Sequence, residues 1–182
     1  MASNLVEGRI SLAYKELEAI PQTLVEKHSK ATRELDLSHN KLTDLRFLHD
    51  FEDLNTLVLD NNELNNHIKF PYLEKLETLW ANHNNITNLS VFVETVAKSF
   101  PNLKYFSMMH NQAAPSYFNG GTYNQYKDYR FYVISHLPNL LVLDDTPITE
   151  VEREEARKVY GTRRYSIKEK KKKSKEKSLK QK

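Results

Sequence analysis

One phrase, written over and over in register, constrains the fold of this chain more than any other feature. "LDLSHNKL" (35–42), "LVLDNNEL" (57–64) and "LWANHNNI" (79–86) each put asparagine at the sixth position, and "FSMMHNQA" (106–113) is a looser copy. The asparagines Asn40, Asn62, Asn84 and Asn111 are spaced 22, 22 and 27 residues apart. Self-similarity at such a period marks a solenoid, in which each unit buries its apolar face only by stacking on its neighbours.

Leu54, Leu57, Leu59, Asn62 and Leu64 fill the pattern L-x-x-L-x-L-x-x-N-x-L, and Leu76, Leu79, Ala81, Asn84 and Ile86 fill it again. The pattern predicts an α/β fold: a leucine-rich repeat solenoid with 22-residue-type repeats, a parallel concave sheet and capped ends. Each short strand alternates its side chains, so Leu57 and Leu59 point inward and Val58 outward. The asparagine that follows turns the chain, and its amide satisfies backbone groups that would otherwise each cost about 1–3 kcal/mol unpaired. Between asparagines, Leu42, Leu45, Leu48, Phe51, Leu54 and Leu57 recur every third residue, which predicts tight helical turns on the convex side.

The ends depart from the pattern. "ISLAYKEL" keeps Ile10, Leu12 and Leu17 but has Lys15 in the asparagine place, as expected of an N-terminal cap. At the other end Leu137, Leu140 and Leu143 hold the spacing, Ile148 stands in the asparagine place, and Thr149 with Glu152 predicts a capping box that opens a closing helix. The unit before it is lengthened by a tyrosine-rich stretch. There Asn119, Gly120 and Gly121 predict a turn, and a helix from about Asn124 aligns Tyr129, Tyr132, Val133 and Leu137 on one face for packing. Tyr117, Phe118 and Tyr123 remain in the loop, which is available to a partner.

Charge divides the chain in two. Residues 163–182 hold eleven Lys/Arg against two Glu, a net of +9, so residues 1–162 carry the remaining −6 of the whole-chain +3. The expected organisation is a leucine-rich repeat domain over 1–162 and a disordered lysine-rich tail over 163–182, since such a run buries too little apolar surface to offset chain entropy. The tail suits a solvated end, a nuclear localisation signal, or attraction to anionic lipid or nucleic acid. With no cysteine, disulfides and thiolate sites are excluded. No apolar run approaches a membrane span, so a cytoplasmic monomer is expected, nuclear if the tail directs import.

No catalytic constellation is present, and no cofactor site: the chain lacks a glycine-rich phosphate loop, a paired His-Glu zinc motif and a G-x-S-x-G elbow. His39, His83 and His110 each precede a repeat asparagine, but the intervening rung carries Asn61, and two imidazoles without a carboxylate or thiolate make a poor metal site. The expectation is therefore a protein without enzymatic activity, without metal and without cofactor.

The candidate site is the outward row of the strands. Val58, Asp60, Thr78, Trp80, Asn82, Tyr105, Ser107 and Met109 project from the concave sheet, with the chain's only tryptophan at mid-array. An outward position normally carries a polar residue, and an exposed aromatic ringed by polar groups is how interfaces concentrate binding energy. Two arrangements account for Trp80: a partner site, or a cover formed by the N-terminal segment or the tyrosine loop.

"RISLAYKELEAIP", "RELDLSHNKL", "LDNNEL", "YKDYRFYVISHLPNLLVLDD" and "EREEA" resemble the leucine-rich repeat group with a tyrosine-arginine C-terminal capping motif. That group includes the spliceosomal A-prime protein and, closer in these segments, the leucine-rich melanocyte differentiation-associated proteins and their invertebrate relatives. The resemblance implies an adaptor in endosomal and lysosome-related organelle trafficking that engages a Rab-family GTPase or a trafficking complex. The spliceosomal member implies the alternative, a nuclear ribonucleoprotein subunit that clamps an RNA-binding protein on its concave face.

Overall fold

The computed structural model describes residues 8–161, so the lysine-rich segment expected to be disordered lies outside the described residues. Seven strands pair in chain order into one sheet: β1 (Arg9–Ser11), β2 (Glu34–Asp36), β3 (Thr56–Val58), β4 (Thr78–Trp80), β5 (Tyr105–Ser107), β6 (Val142–Leu143) and β7 (Thr146–Pro147). From β1 to β6 the pairing is parallel, and its register sets Ile10, Leu35, Leu57, Leu79, Phe106 and Leu143 in one row. Every member of that row is at most 1% exposed. A second inward row, Leu12, Leu37, Leu59, Ala81 and Met108, is at most 3% exposed. Both rows meet Leu45, Leu48, Phe51 and Leu54 of the convex side, delivered by a 3-10 turn over Arg46–Asp50, as the three-residue period predicts. Truncating such a leucine to alanine costs about 2–5 kcal/mol, because stacked coils cannot collapse onto the hole.

Each repeat asparagine ties its own turn to the coils beside it. Asn62 Nδ2 donates to Leu37 O at 2.9 Å and Leu59 O at 3.2 Å, and its Oδ1 accepts from the Leu42 amide at 3.0 Å. Asn84 repeats the arrangement with Leu59 O, Ala81 O and the Leu64 amide, and Asn111 with Ala81 O, Met108 O and the Ile86 amide. At the N-terminal end Asn40 Oδ1 accepts from the amides of Lys15 and Leu17 at 3.2 and 2.9 Å. Lys15 thus joins this ladder through its backbone, with no asparagine required at its own position.

Two helices were not expected. α1 (Gln22–His28) lies in the N-terminal unit, and α2 (Leu89–Ser99) takes up the lengthened spacing between Asn84 and Asn111. Asn88 caps α2, accepting from the Val91 amide at 3.1 Å, while Phe92, Val93 and Val96 fill the core. α3 (Tyr123–His136) begins at a capping box of Thr122 and Gln125, and α4 (Glu150–Tyr160) begins at the predicted box of Thr149 and Glu152. α4 packs on α3 through a small separate cluster of Phe131, Ile134 and Ala156.

The sheet departs from an all-parallel plan at its end. β7 runs antiparallel to β6, pairing Leu143 with Thr146. The reversal starts at Asp144, whose φ of 59° turns the chain back before a further coil can form. Ile148, expected in the asparagine place of that coil, instead follows the hairpin, where its amide donates to Leu141 O at 2.9 Å.

Candidate functional site

The register that buries the leucines also fixes what faces outward. Val58, Trp80 and Ser107 lie in one cross-strand row, and Thr56, Thr78, Tyr105 and Val142 in the next. Trp80 is 47% exposed and Tyr105 42% exposed, while Val58, Thr78 and Met109 are half-buried. No described residue folds over the indole.

Three of the expected face residues are turned to a different task. Asp60 Oδ1 accepts from the Asn82 amide at 2.8 Å, and Asn82 Oδ1 accepts from the Met109 amide at 2.7 Å and from Ser107 Oγ at 2.6 Å. Asp60 and Asn82 thus each brace the backbone of the next rung, and Ser107 donates to the Asn82 side chain. Ser107 is 4% exposed, so it lies beneath the face rather than on it. Its hydroxyl also approaches Asp144 Oδ1 at 3.5 Å, across to the closing hairpin. The accessible apolar surface narrows to Trp80 and Tyr105.

Along one edge of this face runs a column of residues in left-handed backbone conformation. Tyr14, His39, Asn61, His83 and His110 have φ between 52° and 59°. L-residues other than asparagine, aspartate and histidine rarely adopt it, which explains why a histidine or asparagine precedes each repeat asparagine. The histidines are turn formers. Their rings use the alignment: Tyr14 stacks on His39 with centroids 3.9 Å apart, and His83 on His110 at 4.1 Å. Asn61 Nδ2 lies 3.3 Å from His39 Nε2 between the two stacks.

Beyond the face, α3, α4 and the hairpin enclose a set of charged groups. Arg130, 3% exposed, donates through Nε to Glu152 Oε1 at 2.7 Å, through Nη2 to Glu152 Oε2 at 3.2 Å and through Nη1 to Leu143 O at 3.2 Å. Burial pushes the Glu152 carboxyl up, but the Arg130 guanidinium and the Thr149 amide outweigh it and leave the group below its ordinary range. Asp144 accepts from Tyr129 Oη at 3.2 Å and from the Met108 amide at 3.2 Å. Burial dominates there, and the Asp144 carboxyl is raised. Burial, then the Asp144 charge, pushes the Tyr129 phenol well above its usual value. At the far end of α4, burial and the Asp128 carboxylate, 2.5 Å away, push Tyr160 up to about 12.

No family model matches the chain. The human leucine-rich melanocyte differentiation-associated protein is 39% identical over 127 residues, covering 67% of this chain. U2 small nuclear ribonucleoprotein A' of Arabidopsis thaliana is 32% identical over 154 residues, covering 72% of it. In three dimensions the chain matches a chain of the Drosophila melanogaster SNF/U2A' complex with a TM-score of 0.66 and 24% identity, over 86% of this chain and 83% of that one. The chain belongs to the leucine-rich repeat group that these proteins represent. It spans 64% of the human relative and 58% of the plant one. Leucine-rich repeat relatives of this kind are protein-interaction modules. Among the described residues of this leucine-rich repeat protein, no group of three or more His, Cys, Asp or Glu is placed to hold a metal ion, and no helix is long and apolar enough to cross a membrane.

The sequence located the outward row but missed how it is divided. Asp60 and Asn82 read as surface polar groups because alternation alone cannot tell a solvated side chain from one that braces the next strand. The left-handed column had a signal: a tyrosine, histidine or asparagine at the residue before each sixth position.

Proposed function

We propose that this protein is a non-enzymatic adaptor that grips a protein partner on its concave face, with Trp80 as anchor and Val58, Thr78, Tyr105 and Met109 around it. Asp60, Asn82 and Ser107 serve this site from below by fixing the spacing of the rungs. The observation that carries the reading is the 47% exposure of an indole at the centre of the outward face, with Tyr105 42% exposed beside it. Exposed aromatics surrounded by half-buried neighbours form the anchors on which binding energy concentrates.

The identity to the melanocyte differentiation-associated protein supports an adaptor in endosomal or lysosome-related organelle trafficking, with a Rab-family GTPase or trafficking complex as partner. The match to a chain of the SNF/U2A' complex supports a second reading, a nuclear ribonucleoprotein subunit, in which the lysine-rich tail supplies import or affinity for nucleic acid. Quantitative affinity capture separates them: the wild-type chain and Trp80→Ala are compared, with the exposed convex Val91→Ala as control. A GTPase lost only from Trp80→Ala supports the first reading, and a small RNA-binding protein lost in the same way supports the second. Equal capture by all three chains contradicts both. The same pair of readings predicts opposite outcomes for localisation when residues 163–182 are removed: unchanged cytoplasmic signal for the first, loss of nuclear signal for the second.

A further inference from the structure

The loop between β5 and α3, together with Tyr123, which was expected in the loop but is the first residue of α3, carries the most exposed aromatic surface among the described residues. Tyr117 is 90% exposed, Phe118 88% and Tyr123 76%. Residues 111–126, "NQAAPSYFNGGTYNQY", contain no charged side chain, in a chain that is 28% charged.

Exposure here is built into the backbone. Asn119 Oδ1 accepts from the Ser116 amide at 2.8 Å, its Nδ2 donates to Ala114 O at 2.9 Å, and the Gly121 amide donates to Ser116 O at 2.8 Å. Gly120 sits at φ 79°, and a Cβ on Gly121 would come within 2.8 Å of the Ser116 nitrogen, so the turn closes only with glycine at both places. This closed turn holds the rings away from the body.

At the foot of the loop lies a cleft of about 410 Å³, bordered by His110, Gln112, Pro115, Phe118 and Gln125. Gln125 Oε1 is engaged by the Thr122 amide at 2.8 Å. Among the described residues, Gln125 Nε2 and the Gln112 amide take no hydrogen bond. His110 follows Met109 in the chain and stacks on His83, which sets the cleft beside the concave face and not on it.

We infer that this loop and cleft form a second docking site, independent of the concave face, for an extended and uncharged peptide segment bearing an apolar side chain. The open Gln112 amide offers a donor and an acceptor to a peptide backbone and Gln125 Nε2 a further donor, while Phe118 and Pro115 wall an apolar side chain. The absence of charge selects the occupant. Phosphate or carboxylate ligands would find no lysine or arginine lining the cleft. A bilayer would press hydrocarbon against glutamine amides and leave their hydrogen bonds unmade, which is costly.

The test uses the full chain and a random peptide library displayed on phage, selected against wild type and counter-selected against Phe118→Ala. Because Phe118 is exposed, the substitution leaves folding intact, checked by an unchanged melting curve. The expected result is enrichment of uncharged sequences. A synthetic peptide of the leading sequence binds wild type, binds Phe118→Ala at least about tenfold more weakly, binds Gln112→Ala more weakly to a smaller degree, and binds Trp80→Ala as well as wild type. Loss of this peptide from Trp80→Ala would assign it to the concave face and overturn the second site without touching the first. No enrichment over Phe118→Ala, enrichment of acidic sequences, or Phe118-dependent binding to phosphatidylcholine vesicles would each overturn the inference.

Discussion

The repeat coils and the closing cap of this protein solve the same problem, pairing buried polar groups, with different chemistry. From Asn40 to Asn111 the groups that tie one coil to the next are neutral asparagine amides, each bridging two coils. In the cap they are ionisable: Arg130 with Glu152, and Asp144 with Tyr129. A neutral ladder can be repeated because each amide both donates and accepts, so every rung offers the next the same groups. The cap has no further coil to bond with. It closes the stack with side chains from α3 and α4, and Arg130 of α3, held by Glu152 of α4, satisfies a carbonyl of the last parallel strand, at Leu143. The coils should therefore respond little to pH, and the cap strongly.

Among the buried polar groups, Arg130→Ala should be the most damaging change. It leaves Glu152 without its guanidinium and Leu143 O without a donor, and breaking such a pair costs about 3 kcal/mol. Urea denaturation measures it. Asn62→Ala should follow, at about 1–3 kcal/mol for backbone groups of two coils left unpaired. If Asn62→Ala proves the more costly, the cap is the weaker partner and the contrast is reversed. An unchanged melting temperature for Asn62→Ala would refute the bridging role.

The pH dependence sharpens the comparison further. Asp144 is raised, so the folded state holds its proton more tightly than the unfolded state, and its contribution to stability falls as pH rises from the ordinary carboxyl value of 3.8 through the folded value. Glu152 is lowered, so its contribution is present above the ordinary value of 4.5 and is lost as pH falls through the folded value. Asp144→Asn keeps an acceptor for Met108 and tolerates the left-handed turn, so it should stabilise the protein at neutral pH and lose that advantage in acid. Equal pH profiles for Asp144→Asn and wild type would show that the buried carboxyl carries none of the dependence.

Much of this architecture was legible because the repeat repeats. Leu35, Leu57 and Leu79 each repeat a partner already seen, so a single coil read correctly predicts the others. Where the chain departs from repetition, the sequence was ambiguous. α2 hides in a spacing of 27 residues whose apolar positions suit both tight turns and a helix. The reversal at Asp144 is a single backbone angle that no periodicity encodes. At the concave face, alternation told inward from outward but not braced from open. That division depends on distances between neighbouring rungs, which only the assembled sheet fixes.

The smallest stability effect belongs to the residue with the largest expected binding role. Trp80→Ala should cost under about 1 kcal/mol of stability, as a surface change does, and weaken partner binding by about 2 kcal/mol or more. Because the chain holds a single tryptophan, its emission reports this position alone. The account predicts long-wavelength emission from the isolated full chain, efficient quenching by iodide, and no change when residues 163–182 are removed. Short-wavelength emission that iodide does not quench would mean that the protein's own chain covers the indole, and would contradict an open concave site.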